Sequence, residues 1–225
     1  MRNWREVIAS VLGVGALAVA AAPWSAAAPI TSDEWRNWLV QQQVSFVERT
    51  RSMPLAVDQR IVGNGEMAQA TVTVTGTVNA DGSMRVELVS PKVTMAVLCT
   101  GPARCWARLG KGGDDRLWHR IPAHEVASLR EPLPTQTTDL PAAATYTTEG
   151  STGTVNLTVE DVIVRERVSF ADGGYTEALR LSDASEGFEL TMAKSLTPTD
   201  PVSVRTPSTA VIGAPLGTDL VPQLP

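Results

Sequence analysis

TVTVTGTVNADGSMRVEL, residues 71–88, decides the fold. In its first half Val72, Val74 and Val78 alternate with Thr71, Thr73, Thr75 and Thr77. A period of two in β-branched residues is the pattern of a half-buried strand. Asn79-Ala80-Asp81-Gly82 then has turn composition, with Gly82 free to adopt positive φ. Met84, Val86 and Leu88 alternate with Arg85 and Glu87 in a second strand. Strand, turn and strand make an antiparallel hairpin with one apolar face.

The same logic extends toward the C-terminus. Val93–Leu98 reads as a third strand after Pro91. Cys105–Leu109 and Arg116–Ile121 flank Gly110-Lys111-Gly112-Gly113-Asp114-Asp115 as a further hairpin. Cys99 and Cys105 are the only cysteines, and Gly101-Pro102 can turn the chain so that they meet. In an exported chain this reads as a structural disulfide, because the spacing lacks the tightness of a redox pair. Pro122 opens a short helix, Ala123–Arg130, which Glu131-Pro132-Leu133-Pro134 stops. Thr135–Thr148 reads as a connection. Strands resume at Thr154, with Val155, Leu157 and Val159 on one face. Val162 and Val164 have the opposite parity, which a bulge or bend near Glu160-Asp161 reconciles. Asp172-Gly173-Gly174 leads into Tyr175–Ser182, and Ser185-Glu186-Gly187 into Phe188, Leu190 and Met192. The proline-rich residues 207–225 read as a mobile tail. Alternatively, their Val211-Ile212 and Leu220-Val221 cover a sheet edge.

Toward the N-terminus, Thr31-Ser32-Asp33-Glu34 has the form of a capping box. Trp35, Trp38, Leu39, Phe46 and Val47 follow at helical spacing, with Gln42 at the i+7 place, and Pro54 ends the helix at or before Met53. This stripe is either a core face packed on a sheet or a lid over an apolar cavity. Gly63-Asn64-Gly65 reads as a turn ahead of the strands. Residues 1–27 carry the parts of a secretory signal: Arg2 and Arg5, the uncharged run Val7–Ala22, and a small-residue site with cleavage after Ala27. An uncleaved anchor is the competing reading, but the run is shorter than the roughly 20 residues a span needs. The expected organisation is a signal peptide (1–27), one domain (28–206) and a tail (207–225). The expected class is α+β: a curved antiparallel half-barrel, with the N-terminal helix and the short second helix over its concave face.

Composition narrows the function. Hydrophobic residues are 43% and charged residues 19%, a globular balance. A net charge of −5 argues against nucleic-acid binding, which needs clustered cations. His119 and His124 straddle Pro122 and lack the further ligands of a zinc set. No G-x-S-x-G elbow is present, and Asp81 and Asp114-Asp115 sit in turns, where acidic residues are common without calcium. The expectation is a protein that is not an enzyme and has no metal, cofactor or catalytic residue.

The order of helix, Thr/Val strand, DGSMRVEL strand and hairpin ending LWHRIP resembles the LolA-like fold. It is closer to the actinobacterial envelope carriers of the LppX/LprG type. TVNLTVEDVIVRERVSFADGGYTEALRL followed by EGFELTM is similar to the paired strands that close that half-barrel. The resemblance spans roughly residues 33–206 and implies an apolar cavity for a lipid or acyl chain. Two departures are the missing lipobox cysteine and the proline-rich tail. Two functions follow as expectations. One is an exported carrier or chaperone of a lipid or acylated ligand across the periplasm, with an envelope transport protein as a possible partner. Its apolar lining would be Trp35, Trp38, Leu39, Phe46, Val72, Val74, Met84, Val86 and Leu88, although a filled core has the same pattern. The other is an interaction module without a cavity, docking onto an envelope complex. Both are expected in the periplasm, in the envelope or secreted, with no nucleic acid and no membrane span once the signal is removed.

Overall fold

A computed structural model describes residues 28–64, 70–91, 93–110, 117–122 and 141–208. The signal segment, the second helix at Ala123–Arg130, the Lys111–Arg116 turn and the tail beyond Ser208 lie outside the described residues. The elements are β1 (Pro29–Ile30), α1 (Ser32–Thr50), β2 (Leu55–Asn64), β3 (Ala70–Val78), β4 (Ser83–Val89) and β5 (Thr94–Thr100). They continue with β6 (Cys105–Gly110), β7 (His119–Ile121), β8 (Thr145–Glu149), β9 (Thr152–Val159), β10 (Val162–Ser169), β11 (Tyr175–Asp183) and β12 (Phe188–Pro198). All twelve strands form one sheet in the order β1-β8-β9-β10-β11-β12-β2-β3-β4-β5-β6-β7. Every neighbouring pair is antiparallel. The sheet curves without closing, which is the expected half-barrel.

The helix starts where its capping box places it. The Thr31 hydroxyl accepts from Glu34 N at 3.2 Å, and the Glu34 carboxylate accepts from Thr31 N at 2.7 Å. The Thr31 N–H, and then the Thr31 hydroxyl donating to the same carboxylate at 2.8 Å, hold the Glu34 carboxyl below its ordinary range. Asp33 and Glu34 in the first turn and Arg49 in the last oppose the helix dipole favourably. The helix ends at Thr50, three residues before Met53, where the Thr50 hydroxyl donates back to the Phe46 carbonyl at 2.8 Å. Its buried residues are Trp35, Gln43, Phe46 and Thr50. Val47 does not join them and is 48% exposed. At 3.6 residues per turn it lies about 120° around the helix from Trp35, whereas Phe46 lies about 20° away.

The 71–88 hairpin forms as read. Thr77 faces Arg85 and Val78 faces Met84, Gly82 has φ of 76°, and Asp81 accepts from Ser83 N at 2.9 Å. Three other expectations are corrected. The strand period begins before Gly65: β2 runs from Leu55, and Gly63 and Asn64 belong to it, pairing with Leu190 and Glu189. Gln59 among Leu55, Val57 and Ile61 hides its alternation. Thr145–Glu149 is strand β8, although Thr145–Thr148 read as part of a connection. Tyr146 is its only large apolar residue, and β1 and β9 on its two sides make it a strand. Glu160-Asp161 is a two-residue hairpin turn, neither a bulge nor a bend within one strand, with Glu160 at φ 55° and Val159 directly opposite Val162. The change of parity is the chain reversing, so all five valines and leucines of that pattern share one face.

Register sorts the side chains into two faces. The face without α1 carries Thr75, Arg85, Glu87, Arg108, Arg120, Arg165 and Arg180, all exposed. The inner face, against which α1 packs, is apolar. At one end Trp35 and Phe46 meet Val57, Tyr146, Val168, Phe170, Tyr175 and Leu196. Both tyrosines and two of the three phenylalanines of this aromatic-poor chain are spent here. Phe170 and Tyr175 lie 5.1 Å apart, as do Trp35 and Trp38. Gly153 on β9 is required under them, since a Cβ there would lie 2.6 Å from Trp35 Cη2 and collide with Trp38 as well. On the β3–β6 side, Val74, Met84, Val86 and Val97 pack around the Cys99–Cys105 disulfide. The two cysteines are direct cross-strand partners with Cα atoms 4.2 Å apart.

Candidate functional site

The candidate site is the inner face itself. Its rows run across the strands, because directly paired residues point the same way. One row is Tyr175 on β11, Leu196 on β12, Val57 on β2 and Gly76 on β3, continuing to Val86 and Val97. This row lies at the α1 end. Four residues further along the strands, the row of Leu179, Met192, Ile61 and Val72 is again apolar. Beyond it come Leu181 and Leu190. Leu179 and Met192 are buried, whereas Ile61, Val164 and Leu190 beside them stay partly exposed.

The nine apolar residues singled out in the sequence all lie on α1 or on this face, but they are not gathered in one place. Trp35 and Phe46, with Trp38 and Leu39 packed on them, belong to the cluster under the helix. Val74, Met84 and Val86, with Leu88 at their margin, belong to the disulfide cluster. Val72 is buried in the further apolar row. Met84 and Val86 are 0% and 2% exposed, so they fill space between strands. The partly exposed Ile61, Val164 and Leu190 are further apolar residues of this face, which the list read from the sequence does not include.

It also did not include a polar band. Between the two apolar rows, Glu177 on β11 faces Lys194 on β12, and Lys194 faces Gln59 on β2. Glu166 on β10 pairs with Leu179, one inward position along from Glu177, a diagonal of about 7–8 Å. Each strand contributes one polar residue within an apolar alternation, and only register assembles them. The band separates the helix-end cluster from that of Leu179 and Met192.

Its electrostatics are those of charge in an apolar wall. Glu177 is 1% exposed. Its Oε2 accepts from the Tyr175 hydroxyl, while Oε1 has no hydrogen-bond partner. Burial, reinforced by the Glu166 charge, pushes the Glu177 carboxyl up to about 8. Burial pushes Glu166 up to about 7. Lys194 is lowered by burial, against the opposing pull of Glu177. Tyr175 is raised by burial and then by Glu177. A buried acceptor without a donor is costly and uncommon in a folded protein.

Other places offer less. A depression of about 210 Å³ on the opposite face is lined by Ile163, Arg165, Arg180 and Ser182. That is below the roughly 300 Å³ at which ligand pockets begin. No group of three metal-ligating side chains occurs among the described residues. Among the described residues, no helix is long and apolar enough to cross a membrane.

The sequence matches no protein-family model and no curated protein. Among solved structures, it is similar to an S-type phycobiliprotein lyase from Guillardia theta. That match has 9% identity over 74% of this chain and 98% of the other, with a TM-score of 0.31. It is also similar to a DUF1329 family protein from Desulfovibrio piger, at 11% identity over 76% of this chain and 94% of the other, with a TM-score of 0.32. Neither is named as a LolA-type or LppX/LprG-type carrier, and at these scores neither carries an argument about what this chain does.

Proposed function

We propose that this chain is an exported, non-enzymatic envelope protein that holds a lipid or acyl chain against the inner face of its half-barrel and carries it across the periplasm. One observation supports the reading above others. Beyond the polar band the inner face is apolar again, well past the end that α1 packs against, and Ile61, Val164 and Leu190 there remain partly exposed. Apolar side chains that line a wall without being closed off by it offer contact to an apolar guest. Each ligand methylene taken from water into such contact gains about 0.8 kcal/mol, so one acyl chain suffices for useful affinity without any catalytic group. The signal-like N-terminus and the LolA-like order of elements agree with export and carriage, and an envelope transport protein is the partner this role calls for.

Native mass spectrometry of the protein purified from its own envelope, followed by solvent extraction, tests the reading. The expected result is a co-purifying mass of lipid size that is released on denaturation. A bare protein mass, with no uptake of added fluorescent lipid, would overturn it in favour of a docking module without a cavity.

A further inference from the structure

The polar band has no role in holding an acyl chain, and it weakens the wall in which it sits. Glu177 is the centre of it. Its carboxylate is buried, oriented by the Tyr175 hydroxyl through Oε2, and left with Oε1 unpartnered on the inner face. Val168 on β10 and Lys194 on β12 face it across the strands, and Glu166 stands diagonally from it. An apolar residue at this position would have joined the flanking rows into one continuous core. The geometry points to Glu177 as the anchor of a ligand head group: Oε1 takes a hydrogen bond from a hydroxyl of an uncharged, hydroxyl-bearing amphiphile, and the apolar chain of that ligand lies along Leu179, Met192, Ile61 and Leu190.

The chemistry of the surroundings selects the class. An anionic head group would have to leave water for a low-dielectric wall, and would meet like-charge repulsion whenever Glu166 or Glu177 is ionised. A cationic head would meet Lys194 and would have to leave water without a settled counter-charge, since burial favours the neutral form of both carboxyls. A hydroxyl needs no counter-charge. It can donate to Oε1, or accept from the carboxyl when that is protonated. Sites that present a buried polar group of this kind discriminate against the analogue lacking its partner, because the group is then left unpaired.

This inference rests on the carrier reading, and the test separates the two. The full chain is titrated with 1-monooleoylglycerol and with methyl oleate, which has the same acyl chain but no donor, and uptake is read by native mass spectrometry. The expected result is a preference of about tenfold for monooleoylglycerol, the worth of one hydrogen bond. In Glu177→Leu the ratio falls to about one. Equal uptake of both probes by the unaltered chain overturns the anchor alone, as does a preference that survives in Glu177→Leu. Tighter uptake of oleylamine than of monooleoylglycerol overturns the assignment of an uncharged head. No uptake of either ester overturns the carrier reading, and the anchor with it. Should Glu177→Leu fail to fold, Glu177→Met, whose flexible side chain adapts to the same space, gives the same comparison.

Discussion

Gly153 and Glu177 are single residues whose environments make sharp demands. At Gly153 any side chain enters the space held by Trp35 and Trp38, whose indoles are fixed by Tyr146, by Phe170 and by the bond from Trp38 Nε1 to the Gly150 carbonyl at 3.1 Å. Gly153→Ala is expected to lose about 1–3 kcal/mol, the usual cost of overpacking, in chemical denaturation. At Glu177 the expectation concerns pH. The folded value of about 8 lies above the ordinary 4.5, so the folded chain binds this proton more tightly than the unfolded chain. The resulting stability is fully present below about pH 4.5 and is lost as the pH rises through about 8. Glu166, at about 7, acts in the same direction. Denaturation midpoints measured from pH 5 to 8.5 should therefore fall as pH rises. Glu177→Gln should flatten the fall, and an unchanged slope in that variant would remove Glu177 as its source. Neither residue could be picked out in the sequence. A glycine in TEGSTGTV looks like turn composition, and a glutamate in YTEALRL looks like the solvent side of a strand. The tertiary partner alone gives each its meaning.

At the scale of elements, the helix and the strands depend on different kinds of signal. The α1 N-terminus is local: Thr31 and Glu34 satisfy each other's backbone donors within one turn. Thr31→Ala should cost about 1 kcal/mol, read as a lower melting temperature with unchanged circular dichroism at 20 °C. The hairpins with Gly82, Gly173 and Gly187 are local as well, each with its glycine at positive φ. The disulfide joins β5 to β6 at a register that the strands already impose. Loss of the bond releases only a short loop constraint, so the Cys99→Ser/Cys105→Ser chain should fold and lose about 2 kcal/mol. Strands β2 and β8 are the opposite case. Gln59 and the Gly63-Asn64 ending blur one, and Thr-rich composition blurs the other. Each is a strand because ladders flank it on both sides, through β12 and β3 for β2 and through β1 and β9 for β8.

For the whole molecule, the sheet order places the late strand β12 beside the early strand β2, so that the two ends of the domain form one wall. Asn79 extends that closure by exchanging two hydrogen bonds with the Val202 backbone, at 2.8 and 3.1 Å. The packing of this wall differs along its length, and the difference is measurable. Val86 is sealed between β3 and β5, where Val86→Phe should cost about 1–3 kcal/mol. Leu190 lies past the polar band and is only partly buried. Leu190→Phe should keep the melting temperature within a few degrees while lowering uptake of a fluorescent acyl probe severalfold. Equal destabilisation by both substitutions would mean that the inner face is filled throughout.

The sequence by itself determined the class of fold, the helix start, most of the turns and the apolar identity of the inner face. These follow from interactions within a few residues: period, capping, φ preference. The tertiary structure alone decided that β2 pairs with β12 and that Val47 faces solvent while Gln43 is buried. It also decided that Glu166, Glu177, Lys194 and Gln59 form one band. The reason is register. In a strand each side chain is placed by its own parity, but its neighbours are placed by pairing between segments distant in the chain. Alternation shows that a residue faces inward, and only the ladder shows what it meets there.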